Sequence, residues 1–460
     1  MEVSTKKNLN VLLGDPRKAI VAFSIPIAVA LLAQQSNSLV DSFWVTALGG
    51  NAMAALGLVS PIYSILVGIG NGLGIGASSA IARSIGFGRP EETGAKAAQS
   101  IVLCAVAALI LTPLLLLTAK PVLILFGAGH TLDESMAFAI PLYISAFLIF
   151  ASGVMSGIMR GEGAVRRSMY IQVIGAVANL VLDPIFIYSL NMGVAGAAWA
   201  TVAAFGISII VGMYWYLVKK DMFIKVKRKD FRPSVNHLKD ILSVGLPQTA
   251  EFTVMSLFNV IFNFCIIMVG GTNAMAIYTV AWRLMYILLI PAQAMGGAIV
   301  SACSAEFGMK RYDMIRQAYV FSVRTSVLLL CGLSIAMGIL AGPISSVFTQ
   351  APDMQYLHGA MVTMLYIFAA FIPIMSLIYI GSSLLQALKR SKISLISTFI
   401  RNAMLAVTFV IAAYWFGTLT SLWWAMFATE VFGGALMGFW AYVVLKDVAK
   451  RDGRTLVSDK

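Results

Sequence analysis

The sequence predicts an all-α integral membrane protein of twelve transmembrane helices, built as two six-helix bundles. Three observations carry that prediction. Of 460 residues 59% are apolar and 12% charged, and mean hydropathy is +0.87, whereas soluble domains run at roughly 45–50% apolar and 25% charged. A soluble core of this length has no room for so much apolar surface, so lipid covers part of it. The charges form short clusters between apolar runs, each long enough to cross a bilayer, which takes about 20 residues. The second half of the chain also repeats landmarks of the first.

The runs lie at approximately 19–46, 54–83, 95–118, 133–158, 168–190, 194–217, 240–268, 274–303, 317–341, 356–386, 393–415 and 421–445. None shows the alternation of a membrane β-strand. The first run is too long for a cleavable signal and has no small-residue cleavage site after it. Basic residues then set orientation. One side carries Lys6, Lys7, Arg17 and Lys18; Arg89 and Lys96; Arg160, Arg166 and Arg167; eight bases from Lys219 to Lys239; Lys310, Arg311 and Arg316; Lys389, Arg390 and Lys392; and the tail from Lys446. The other side carries only Lys120. Both termini are therefore expected in the cytoplasm of a multi-pass cell-membrane protein. The expected organisation is a first bundle at 1–217, a cytoplasmic linker at 218–239, a second bundle at 240–446 and a cytoplasmic tail at 447–460.

The repeat is read from particular residues. Pro26 recurs as Pro247, and Gly49-Gly50-Asn51-Ala52-Met53-Ala54 as Gly270-Gly271-Thr272-Asn273-Ala274-Met275-Ala276. Arg167-Ser168 recurs as Arg390-Ser391, Asn179 as Asn402, and Trp199-Ala200 as Trp424-Ala425. Six spans is an even number, so the halves share one topology and a pseudo-two-fold axis runs along the membrane normal. Transporters of this design bind cargo between halves and rock them to alternate access.

Other function classes fit less well. The net charge of +13 lies in loop clusters, with no basic helix or aromatic–basic array, which argues against nucleic acid. Cys104, Cys265, Cys303 and Cys331 sit in apolar runs without CxxC or neighbouring His, so no disulfide or transition-metal site is expected. No nucleophile–base motif, Walker loop or zinc signature occurs, so neither an enzyme nor ATP drive is expected, and no cofactor. Gly68, Gly72 and Gly76 stand at i, i+4 and i+8 and predict close helix packing. Pro26, Pro61, Pro141, Pro247, Pro291 and Pro373 interrupt helices, mostly as static kinks, and Pro26 reads as a hinge, because it precedes Asp41 on the same helix. A monomer is the default.

Ionisable residues inside a bilayer are functional candidates. Asp41 stands eight residues before Gly49, Asp183 eight before Asn191, and Thr201 eight after Gly193. At 1.5 Å per residue all three lie roughly 12 Å in from the outer turns. Asn179 is one turn from Asp183 on the same face. Two carboxylates, an amide and a hydroxyl can thus meet at one level, with no Lys or Arg of that half at the same depth. Such a pair must take up a proton, bind a metal cation or face a cationic ligand. Oxygen-only ligands suit Na⁺. In the second half Glu251 and Arg401 lie at similar depths, as do Glu430 and Arg283, and both pairs read as structural ion pairs. Tyr63, Asn71, Tyr143, Met155, Glu251, Asn259 and Asn263 are candidates to line a substrate cavity.

The run Asn179-Leu180-Val181-Leu182-Asp183-Pro184-Ile185-Phe186-Ile187-Tyr188, followed by Gly193 to Thr201, resembles the multidrug and toxic compound extrusion (MATE) family. So do Pro26, Asn37 to Trp44, Gly49 to Leu56 and Gly86 to Arg89, and the resemblance covers essentially the whole chain. It implies two bundles around a V-shaped cleft, and efflux of amphipathic, often cationic compounds against inward Na⁺ or H⁺. The pattern is most similar to the prokaryotic DinF-like branch, which implies a cation site at Asp41, Asn179, Asp183 and Thr201 and a bending Pro26. Other branches use a Glu in helix 7 and an Asp in helix 10. Here Glu251 falls about one turn from that position, which Met255 fills, and Tyr356 to Leu388 holds no acid. The second reading is a flippase for a lipid-linked oligosaccharide or peptidoglycan precursor, which would draw on Arg283 and Arg401. A channel or receptor is a third.

Overall fold

The computed structural model describes residues 2–350 and 355–458, and among them every regular element is a helix. A short α1 (Glu2–Leu12) precedes α2 (Pro16–Thr46), whose first turn is fixed by Asp15: its Oδ1 accepts from Arg17 N at 2.9 Å. Pro16 at the first helical position costs no hydrogen bond, because that N–H has no partner in any helix. The first half continues through α3 (Gly50–Gly86), α4 (Glu91–Leu125), α5 (Leu132–Ile144), α6 (Ala146–Gly161), α7 (Val165–Pro184) and α8 (Gly193–Met213). α5 and α6 form one span bent by 52°.

The second half holds α9 (Val235–Leu288), α10 (Ile290–Gly308), α11 (Tyr312–Phe348), α12 (His358–Ala387), α13 (Ser391–Ile411) and α14 (Leu419–Ser458). α9 is two spans run together, broken at Gly271, whose φ of 70° and ψ of −171° no helix contains. α10 continues the second of them. Counted this way the spans number twelve, six per half. The backbone turns echo the repeat: left-handed φ occurs at Gly49 and Gly271, at Gly88 and Lys310, and at Gly193 and Gly417. Several helices overrun the apolar runs; α9, for example, starts at Val235 in polar sequence. A helix needs no apolar residues once it leaves the lipid.

The halves meet through α2 and α3 on one side and α9 and α10 on the other. α3 makes this possible by presenting glycine on two faces. A Cβ at Gly70 or Gly74 would strike α6 backbone, 3.0 Å from Ile149 O and 2.3 Å from Gly153 O. A Cβ at Gly72 or Gly76 would strike the other half, 2.7 Å from Thr249 N and 2.5 Å from Ile241 O. The stripe expected to pack helices is thus the seam between bundles. Nearer the end that carries the basic loops, Ser78 and Ser301 hydroxyls lie 3.1 Å apart, Ser79 and Ser304 2.9 Å apart, and Gly86 rests on Ala305 backbone.

The same end is closed by buried charge. Asp240 of α9 accepts from Arg83 of α3 at 2.9 Å and from Lys96 of α4 at 2.6 Å, and it also pairs with Lys389. The Arg83, Lys96 and Asp240 side chains are 2%, 6% and 11% exposed, so the pairs are shielded from water. Towards the opposite end the close approaches stop at Gly68, where a Cβ would lie 2.7 Å from Phe252 Cβ. Gly57 lies eleven residues further out on the same α3 face, and a Cβ there meets nothing within 4 Å. The halves therefore diverge, and a V-shaped cleft opens away from the basic end.

Two variants test this closure. Asp240→Asn leaves Arg83 buried without a carboxylate and Lys96 with only Glu92 at 3.8 Å, a penalty of about 3–5 kcal/mol on the closed end. Gly72→Val forces side-chain volume against Thr249 and Gly245. In a Ser301→Cys reporter with Cys331 replaced by Ser, maleimide labelling should rise several-fold in either variant, with elution from size exclusion unchanged.

Candidate functional site

α2 and α7 pack along one another through a polar stripe. Gln34, Asn37 and Asp41 share one face of α2 and Gln172, Asn179 and Asp183 one face of α7, by three- and four-residue spacing. Gln34 Nε2 donates to Gln172 Oε1 at 2.8 Å. One to two turns on, Asn37 Nδ2 donates to Asn179 Oδ1 at 2.6 Å and to Asp41 Oδ2 at 3.2 Å. Asn179 Nδ2 donates in turn to Asp183 Oδ1 at 2.9 Å. Asn179 and Asp183 are 2% and 1% exposed. The side chains of Asp41 and Asp183 come within hydrogen-bonding reach of each other.

That leaves Asp41 Oδ1 and Asp183 Oδ2 buried without a donor, and Asn37 Oδ1 with them. Two carboxylates in contact repel unless something positive lies between them. The donor set is all oxygen, and among the described residues no group of three His, Cys, Asp or Glu side chains is placed to hold a metal. These residues fit a shared proton or one hard monovalent cation, and they do not fit zinc or copper. Thr201 Oγ1 donates to Ala197 O of its own helix at 3.0 Å, and among the described residues no hydrogen bond ties it to the carboxylates. Asn37 is the residue the sequence reading passed over. Its signal was present: it stands one turn from Asp41, as Asn179 does from Asp183.

The cavity candidates divide. Half-buried Tyr63 lies within electrostatic reach of Asp41. Half-buried Asn71 adjoins the glycine seam. Asn259 and Asn263 continue the α9 stripe of Gly245, Thr249 and Phe252 past the last inter-half contact, and so face the cleft. Three others point elsewhere. Tyr143 is 1% exposed inside the first half. Met155 packs on Gly212 between α6 and α8. Glu251 is 5% exposed and turns into the second half, towards Ser382, Ser394 and Arg401, with its Oε1 left without a donor. Helix periodicity marks faces but does not say which neighbour each face meets, and that is why these three were misplaced. Pro26 is buried in an α2 that runs unbroken through it.

The second half holds a different arrangement from the one depth suggested. Arg401 Nη1 donates to both oxygens of Glu430, at 2.8 and 2.7 Å. Arg401 thus pairs with Glu430 in place of Glu251, and Arg283 is exposed with no ion-pair partner among the described residues. Rise per residue gives depth alone, and azimuth decided the pairing. By the repeat offsets, Asn37, Asp41 and Asp183 correspond to Phe258, Phe262 and Ala406. Phe258 and Phe262 stack at 6.4 Å, and Phe262 meets Phe409 at 5.3 Å. Apolar packing therefore fills the second copy of the site.

Comparison with known proteins agrees with this architecture. The MatE family profile matches twice, over residues 26–185 and 247–412, once in each half and starting at Pro26 and Pro247. A FAD transporter of Shewanella oneidensis is 24% identical over 396 residues, 84% of this chain and 86% of that protein. The multidrug export protein MepA of Staphylococcus saprophyticus is 26% identical over 270 residues, 58% of this chain and 59% of that protein. A crystallised MATE in complex with MaL6 superposes with a TM-score of 0.92 at 30% identity, covering 96% of this chain and 99% of that one. A MOP superfamily transporter from Pyrococcus furiosus, whose binding pocket of reverse polarity suggests a different function for that protein, gives the same values. With both halves matched and one fold shared throughout, this chain belongs to the MATE family of multi-pass membrane transporters.

Proposed function

We propose that the protein is a Na⁺- or H⁺-coupled antiporter that exports amphipathic, often cationic organic compounds across the cell membrane. The observation that carries the reading is the Asp41–Asp183 pair, whose buried Asp41 Oδ1 and Asp183 Oδ2 lack a donor among the described residues, in a half without a base at that depth. The multidrug export relative supports the cargo class. The termini and basic loops lie in the cytoplasm by charge asymmetry, so the cleft faces outward in this conformation. A monomer suffices, because both halves of the pathway lie in one chain.

In this cycle the outward cleft admits the coupling cation to Asp41 and Asp183. Neutralising the pair removes the repulsion between α2 and α7 and weakens their hold on a cationic cargo, which leaves outward. The halves then rock about the glycine seam, Asp240 parts from Arg83 and Lys96, and the cation leaves on the inside. Coupling requires only that the cation bind one conformation better than the other.

A second reading has one specific support. Exposed, unpaired Arg283 and the FAD transporter relative point to anionic cargo. The flippase alternative loses half its basis, since Glu430 neutralises Arg401.

The test is efflux of a fluorescent organic cation from proteoliposomes under imposed Na⁺ or H⁺ gradients. Asp41→Asn and Asp183→Asn should each lower gradient-driven flux at least about tenfold, the scale of one buried charged hydrogen bond. Unchanged flux in both, with normal reconstitution, rules out coupling at this site. Asn37→Ala should weaken the response to the driving ion, raising the ion concentration for half-maximal flux several-fold while sparing the maximal rate. An anionic dye transported in preference, with loss in Arg283→Ala, would decide for the second reading.

A further inference from the structure

At the basic end the first half holds a cavity of about 860 Å³, walled by α1, the start of α2, the start of α7 and the segment after α8. Drug-sized ligands occupy roughly 300–1,000 Å³. Four bases line it, Lys7, Arg166, Arg167 and Lys219, with one acid, Asp221. Arg167 takes up that acid: Nη1 donates to Oδ1 at 2.9 Å and Nη2 to Oδ2 at 2.6 Å. Among the described residues no acid pairs with Lys7, Arg166 or Lys219. Glu162, just behind the wall, is 2% exposed and already accepts from Tyr216 OH and Ile224 N, so it does not face the cavity. Three positive groups therefore surround one space.

Apart from Asn8 the rest of the lining is apolar, with Val11, Phe23, Val165 and Tyr170 among it. Exposed apolar stripes lead away from it, Val21, Ile25 and Val29 on α2 and Tyr170, Ile174 and Val177 on α7. Aromatic and basic side chains meet at its mouth. The Tyr170 and Trp215 rings lie 6.4 Å apart, Arg167 sits 5.8 Å over Trp215, and Lys219 sits 5.7 Å over Tyr214. Such residues anchor helices at headgroup depth.

Scattered bases are ordinary on the cytoplasmic side of any membrane protein. A roomy cavity with unpaired cations at its mouth and apolar stripes running from its floor is more selective. It matches a molecule with an anionic head and an apolar body. We propose that this cavity binds an anionic phospholipid of the leaflet at the basic end, its phosphodiester held by Lys7, Arg166 and Lys219 and its chains laid along Ala22 and the α2 stripe. A soluble phosphorylated compound shares the anion but gains nothing from the apolar stripes. Phe23 is one turn from Pro26 on the helix that carries Asp41, so occupancy bears on the packing of that helix.

The test is lipid retention by the full-length protein in detergent, counted by native mass spectrometry during titration with phosphatidylglycerol or phosphatidylcholine. Phosphatidylglycerol should be retained in preference. Arg166→Ala with Lys219→Ala should weaken its retention by about tenfold or more, given the usual contribution of bases near an anionic headgroup. Arg166→Lys with Lys219→Arg should keep it, which separates lost charge from a damaged fold. Lys120→Ala, at the opposite end, should change nothing. Equal retention of the two lipids, or no change in the double alanine variant, overturns the proposal. Displacement by glycerol 3-phosphate at matching concentration also overturns it, in favour of a soluble ligand.

Discussion

The structure depends on how closely two helices from different halves approach. α3 and α9 touch backbone to backbone because α3 has no side chain at Gly72 and Gly76. Lipid gives helices no hydrophobic reason to associate, so close van der Waals packing and buried polar contacts must hold them. Here both occur at the same end. The seam brings α3 and α9 together, and the Asp240 pairs lie where the seam has already excluded water. With the halves fixed at one end, their divergence at the other follows from helix direction alone.

α3 also ties the two functions of the first half together. Its other glycine face seats α6, and its outer part carries Tyr63 near Asp41. The helix that forms the seam thus passes beside the candidate cation site. A change in how α2 packs on α7 bears on the same helix that meets the second half. Rigid packed elements transmit such shifts because they have few intermediate arrangements.

Much of this was legible in the sequence. Apolar runs gave the spans, and the recurrence of Pro26, Gly49 and Asn179 gave the two halves. The four-residue step from Asn179 to Asp183 and the matched depth of Asp41 mark a carboxylate pair in the sequence itself. What could not be read was azimuth between non-neighbouring helices. Arg401 and Glu251 share a depth, yet the partner of Arg401 came from α14. Tyr143 and Met155 sit on helices near the cleft but on faces turned from it. Asn37 escaped although its spacing from Asp41 matches that of Asn179 from Asp183, because nothing within one helix shows that its amide meets a second.

The replacement of Asn37, Asp41 and Asp183 by Phe258, Phe262 and Ala406 in the second half bears on electrical bookkeeping. A duplicated chain could have kept two ion stations, and this one keeps a single pair of carboxylates. Under the proposed coupling, one such pair carries inward no more than two positive charges per turnover. Exchange of one monovalent ion for one monovalent organic cation would then move no net charge, and the membrane potential could not drive it. Only cargo of a different valence, or double occupancy of the pair, would let voltage contribute.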